Sequence, residues 1–168
     1  MSKTYDDLLA AFAGESQANR KYLAYADKAD KDGYPQAAKL FRAAAAAETV
    51  HAHNHFKAAG HVNSTVENLK DAIAGENYEV VTMYPDFIAD AKEEGENKKG
   101  LRSFEWAYEV EKTHEALYKE MLENLEEANK GEAVDYYVCE VCGHTHVAGA
   151  PDECPVCGAP KEKFFKVD

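Results

Sequence analysis

Glu48-Thr49-Val50-His51 and Glu111-Lys112-Thr113-His114 repeat one spacing, Glu-x-x-His, in two distant stretches of the chain. On a helix, residues three apart face the same way, so each copy presents a carboxylate and an imidazole together. The first copy opens "ETVHAHNH", where His51, His53 and His55 alternate. On a strand these would form a comb on one face. On a helix each pair is spread by about 200°, and only His51 shares the face of Glu48. The stretch follows "RAAAAAE", whose helix propensity is close to the highest available, so the helical period wins. His53, His55 and His61 then read as surface or supporting groups.

Four helices are expected. The first spans 4–31, with Leu8, Phe12, Tyr22 and Tyr25 at helical spacing and Gly33 just past its end. The second starts at "YPQAAKLF", with Pro35 suited to a first turn, and runs toward Gly60. The third begins at "STVE", where Ser64 and Glu67 have capping-box spacing, and continues to about Glu94 with a kink at Pro85. The fourth runs from about Asn97 to Asn129. Long helices joined by short turns indicate a bundle. Past Gly131 the composition shifts to Cys, Pro, Gly and aromatics. The expected division is 1–131 for the bundle and 132–168 for a small loop-rich module.

Within the bundle, acidic residues occupy positions on the apolar stripes: Glu15, Glu48, Glu76, Glu79 and Glu111, joined by His51 and His114. A single Glu-x-x-His on a charged helix is ordinarily solvated surface. Two copies on alternate helices, with Glu15 and Glu76 at matching depth, are not. Seven such groups in one dry core are prohibitive unless cations neutralise them. Two metal ions bridged by carboxylates satisfy that demand, and a Glu-x-x-His on each of two helices plus a Glu from each of the others is the ferritin-like carboxylate pattern. Tyr22 and Tyr84 read either as packing residues or as hydrogen-bond donors beside the carboxylates.

The tail reads "CEVCGHTHVAGAPDECPVCGAP". Cys139 with Cys142 and Cys154 with Cys157 form two C-x-x-C knuckles, a tetrahedral thiolate site for zinc or a single iron. His144 and His146 are available, but four cysteines already complete the site. On the tail alone, a structural zinc ribbon is the favoured reading.

The chain carries a formal net charge of −12, which disfavours nucleic acid and anionic membrane surfaces as partners. No apolar run approaches the roughly 20 residues that span a bilayer. The start "MSKTYDDLLAAFAGES" lacks a basic n-region and apolar core, so a cytoplasmic location is expected. All four cysteines lie in the tail, which in a reducing compartment favours metal over disulfides.

With "AFAGESQANRKY", "AETVHA", "AGENYEVVTMYP", "EVEKTH" and "CEVCG…CPVCGAP" in place, the sequence resembles the rubrerythrins over nearly its whole length. The resemblance implies an all-α four-helix ferritin-like di-iron bundle with a C-terminal rubredoxin-like domain that holds one iron on four cysteines. It implies a peroxidase that reduces hydrogen peroxide to water, with electrons returned one at a time through the four-cysteine centre. Carried over, Glu48 and Glu111 bridge two irons, Glu15 binds the first, and Glu76 with His114 the second. Glu79 and His51 match a pair that exchanges at the first iron between redox states, and Tyr22 and Tyr84 match tyrosines that hydrogen-bond bound oxygens. The tail reading moves from zinc to iron in Cys139, Cys142, Cys154 and Cys157, with zinc as the alternative occupant. The implied electron donor is a rubredoxin or an NAD(P)H-dependent reductase. The chain has no glycine-rich dinucleotide fingerprint of its own.

Ferritin-like bundles run up-down-down-up, so the link between the second and third helices must cross the bundle. A 25-residue helix is roughly 37 Å long. The linker "HVNST" reaches roughly 18 Å when extended. Either the bundle is a simple up-down-up-down one, or residues 1–60 of one chain pair with 65–129 of another in a helix-swapped homodimer. The full ligand set favours the swap. Two rival functions remain at this level: a ferroxidase or oxygen-reducing di-iron protein for iron handling, and a non-enzymatic zinc-ribbon module. The relay-like tail counts against the first, and the internal carboxylates against the second.

Overall fold

The computed structural model describes residues 2–168. Helix α1 spans Lys3–Lys31, and the Ser2 side chain accepts from the Tyr5 N–H at its start. Helix α2 spans Pro35–Ala58, with Pro35 in the first turn as its missing N–H allows. Helix α3 covers Thr65–Tyr78 and opens with the full Ser64–Glu67 capping box. A π-helical turn, Glu79–Met83, leads into α4, Tyr84–Glu94. Helix α5 spans Lys98–Glu123 and the short α6 Leu125–Ala128.

Two of these differ from the sequence expectation. The third helix is not one kinked rod but two helices joined through the π turn, in which the Tyr84 N–H reaches back five residues to the Glu79 carbonyl. Pro85 has no N–H to give and its ring crowds the preceding turn, so the wider π register takes up the strain just ahead of it. The fourth helix ends at Glu123 instead of running to Asn129, and Asn124 turns its side chain back on the Glu120 carbonyl.

The chain packs as two units, one ending at Asn63 and the other Ser64–Asp168. The first is the α1–α2 hairpin. Ala26, Ala29 and Ala38 cluster with Phe41, and Ala45 and Ala52 continue the buried line along α2. These small side chains let the helices approach closely. Phe12 stacks on Phe56 with ring centroids 4.5 Å apart, and the Tyr5 hydroxyl meets His61 Nε2 at 2.8 Å. Leu23, Leu40 and Val50 stay exposed.

In the second unit α3 and α4 lie against α5. Phe87 and Phe104 hold α4 to α5 with centroids 5.6 Å apart, and the Asn77 amide donates to Glu115 at 2.8 Å between α3 and α5. The tail forms a three-stranded antiparallel sheet. Strand β1, Tyr136–Cys139, lies between β2, Thr145–Val147, and β3, Phe164–Val167. Val138 pairs with Thr145 on one side, and Cys139 with Phe164 on the other.

Candidate metal centres

Glu15 on α1 and the Glu48–His51 pair on α2 come together across the hairpin, with one ligand atom from each lying within 4.8 Å of the others. His51 Nδ1 is 2.9 Å from Glu48 Oε2 and 3.9 Å from Glu15 Oε1. The i, i+3 spacing aligns the α2 pair, and the close α1–α2 approach brings Glu15 alongside. Asn19, one turn past Glu15 and buried, braces that approach by donating to the Ala45 carbonyl at 2.7 Å and to Thr49 Oγ1 at 2.8 Å. Glu48 is largely covered, whereas the His51 side chain is 54 % exposed.

A second triad of the same composition forms in the other unit: Glu76 on α3 with Glu111 and His114 on α5. His114 Nδ1 is 2.6 Å from Glu111 Oε2 and 4.0 Å from Glu76 Oε1. The other ring nitrogen, Nε2, lies 2.9 Å from Thr145 Oγ1 on β2. The electrostatics are those of crowded acids. Burial, then the charge of Glu111, pushes the Glu76 carboxyl up to about 7. Glu79 is raised by burial and by Glu111. His114 is raised by its hydrogen bond to Glu111, against the effect of burial. Tyr84 is raised by burial and then by Glu111, Glu79 and Glu76, which places its hydroxyl within the field of all three acids.

Glu79 falls outside both triads, on the π turn. The Tyr22 ring packs near Tyr25 and Phe41 within the hairpin, with centroids 6.4 and 6.3 Å away. Tyr84 packs near Phe87 and Phe104.

In the tail, Cys139, Cys142, Cys154 and Cys157 converge as free thiols. Cys139 Sγ is 3.7 Å from Cys157 Sγ, and Cys142 Sγ is 3.6 Å from Cys154 Sγ. Thiolates at about 2.3 Å from a tetrahedral ion are separated by about 3.8 Å, so the spacing fits a metal and not a disulfide. Burial raises Cys142 and Cys157, an unfavourable setting for thiolates unless a cation is present. Burial also opposes ionisation of Cys139, but backbone N–H groups of Cys142 and Val141 outweigh it and hold that thiol below its ordinary value. His144 is buried in this module with neither ring nitrogen hydrogen-bonded, and burial holds it below its ordinary value. His146 Nδ1 pairs instead with the Val147 carbonyl at 3.0 Å.

The rubrerythrin family model matches residues 6–122, and the model for the rubrerythrin rubredoxin-like domain matches residues 137–165. The chain belongs to the rubrerythrin family. It is 35% identical to rubrerythrin-2 of Clostridium acetobutylicum, covering 96% of this chain and 95% of that one. It is 37% identical to rubrerythrin of Porphyromonas gingivalis (97% and 89% covered) and 34% identical to nigerythrin of Nitratidesulfovibrio vulgaris (98% and 86%). Among solved structures it is similar to nigerythrin in its fully reduced, all-ferrous state, with a TM-score of 0.59, 32% identity, and 99% and 88% of the two chains covered. Membership gives the two donor sets their metals: a di-iron site among the helices and a rubredoxin-like four-cysteine site in the tail.

Neither Asn19 nor Thr145 stands out in the sequence as a supporting residue. Asn19 carries a faint signal, since it lies four residues past Glu15 and so on the same helix face. Thr145 carries none, because its contact crosses from β2 to α5.

Proposed function

We propose that the chain is a non-haem di-iron peroxidase that reduces hydrogen peroxide to water in oxidative-stress defence, drawing electrons through its four-cysteine centre. One observation carries the reading: two Glu–Glu–His triads and a four-thiolate cluster occur in one chain of a di-iron family. When bound, the helical irons supply the electron pair that splits peroxide, and the tail iron supplies single electrons to restore them.

The residues take the following roles. Glu15, Glu48 and His51 hold metal on the hairpin, and Glu76, Glu111 and His114 hold it on α3 and α5. Burial, reinforced by the charge of Glu111, makes Glu76 retain its proton, and a cation relieves that acid–acid repulsion. Glu79, on the π turn, is the carboxylate that trades places with the exposed His51. Tyr84 donates a hydrogen bond to the bound oxidant, and its raised pKa keeps the proton on its hydroxyl. Tyr22 has the same role on the hairpin side. Cys139, Cys142, Cys154 and Cys157 hold iron in preference to zinc. The functional division lies at 131/132, between the helical peroxidase portion and the relay.

The assembly we propose is a helix-swapped homodimer. Only six residues, 59–64, join α2 to α3. Extended, they reach about 20 Å, whereas the 24-residue α2 is about 36 Å long. Each centre then takes Glu15, Glu48 and His51 from one chain and Glu76, Glu79, Glu111 and His114 from its partner. The electron donor is a separate protein, a rubredoxin or an NAD(P)H-dependent reductase, and the proposed location of both is the cytoplasm. No helix among the described residues is long and apolar enough to cross a membrane.

Stopped-flow spectroscopy tests the reading. The iron-loaded protein is fully reduced without oxygen and mixed with one equivalent of hydrogen peroxide. Return of the ferric colour of the four-cysteine centre much faster than with one equivalent of dioxygen supports the peroxidase. Equal or faster return with dioxygen favours the oxygen-reducing alternative, and a tail that stays colourless removes the relay.

A further inference from the structure

His114 uses both ring nitrogens, and they face different modules. Nδ1 points at Glu111 and Glu76, so it is the nitrogen that faces the metal position. Nε2 lies 2.9 Å from the hydroxyl of Thr145, a residue of the tail sheet. A neutral imidazole that ligates through Nδ1 must carry its proton on Nε2, and that proton needs an acceptor. The cavity of about 340 Å³ whose wall holds this bond is otherwise lined by Leu69, Leu117, Tyr118, Met121 and Tyr136, and of the groups around it the Thr145 hydroxyl is the one bonded to Nε2.

Thr145 is itself tightly placed. Its backbone pairs with Val138 in the β1–β2 ladder. Its neighbour His144 accepts the Cys139 N–H at 3.0 Å through its carbonyl and donates its own N–H to the Cys142 sulfur. The first C-x-x-C knuckle therefore fixes the residue that fixes the imidazole.

We infer that Thr145 is a positioning residue for the helical metal centre: its hydroxyl accepts the Nε2–H of His114, locking the ligating tautomer and tying that ligand to the four-cysteine module of the same chain. The inference rests on the reading of His114 as a metal ligand, and it adds a link between the two metal sites that passes through one hydroxyl. Partners of this kind are worth about 10- to 100-fold in metal affinity.

The test uses the full chain, its tail loaded with zinc and its helices metal-free, titrated with Co²⁺. Wild type is compared with Thr145→Val, which keeps the shape and loses the acceptor, and Thr145→Ser, which keeps the hydroxyl. Thr145→Val is expected to bind Co²⁺ about tenfold or more weakly. It should also lose one slowly exchanging, hyperfine-shifted imidazole N–H from the proton NMR spectrum. Thr145→Ser should retain both, and zinc content and helical circular dichroism should match in all three. Co²⁺ affinity within twofold of wild type in Thr145→Val, with the N–H retained, overturns the inference. So does a Thr145→Ser loss as large as that of Thr145→Val. If wild type binds no Co²⁺ at its helices, the ligand assignment itself falls. Failure to reduce peroxide leaves these affinities untouched.

Discussion

Glu76 and Glu111 confront each other between α3 and α5, and burial, reinforced by that confrontation, pushes the Glu76 carboxyl up to about 7. Two acids placed so closely in a folded chain are a standing cost that a bound cation removes.

The sign of the resulting pH dependence follows directly. The folded value for Glu76, about 7, lies above its ordinary 4.5, so its contribution to stability is full below about pH 4.5 and is lost as pH rises through about 7. His114 acts in the same direction: its folded value is raised above 6.5, so its contribution is lost as pH rises through that higher value. Metal-free protein, followed by helical circular dichroism in urea, should therefore show a lower midpoint at about pH 8 than at about pH 5. Glu76→Gln should flatten this trend, and an unchanged slope in that variant would remove Glu76 as its source.

Complementation reads the swap. Chains carrying His51→Ala and chains carrying His114→Ala should each lack peroxidase activity. Refolded together, a swapped heterodimer has one centre with both lesions and one with neither, so activity should return to a substantial fraction of wild type. A chain that builds its centre from its own four helices gives no rescue.

Metal removal should act on the two modules unequally. The tail core is Cys139, Cys154 and Ala159, with Cys142, Val156, Cys157 and Phe164 packed on it, so its ligands are also most of its core. Stripping the metal from the four cysteines should abolish amide-exchange protection over β1–β3. The helical signal should persist, because the α1–α2 core is built from alanines and aromatics.

Tyr84→Phe should lower the rate of peroxide reduction about tenfold or more, with metal content unchanged, if its hydroxyl serves the reacting oxygens. Tyr22→Phe should cost less, since the Tyr22 ring packs against Tyr25 and Phe41. Single-turnover kinetics of the two variants would rank them, and the reverse order would reassign the roles.

Asn19→Ala removes a buried amide that donates to both the Ala45 carbonyl and Thr49. Chemical unfolding should show a loss of about 1–3 kcal/mol, the range for stranding a buried hydrogen-bonding partner. A loss below about 0.5 kcal/mol, on the order of an exposed substitution, would mean that water replaces the amide.

The sequence alone determined the helical period of "ETVHAHNH", the capping box at Ser64 and the paired cysteine knuckles, because each is a local property of spacing along the chain. Six of the seven expected helical ligand residues meet in two triads. What lay beyond it depended on long-range packing. The π turn before Pro85, which begins at Glu79, arises where a missing N–H meets a helix that must continue. The Asn19 brace needs the α1–α2 approach, and the Thr145–His114 bond needs a tail strand laid against α5. No periodicity encodes a contact between residues 31 positions apart. Tertiary structure decides it, because only there does a buried donor have to find its acceptor.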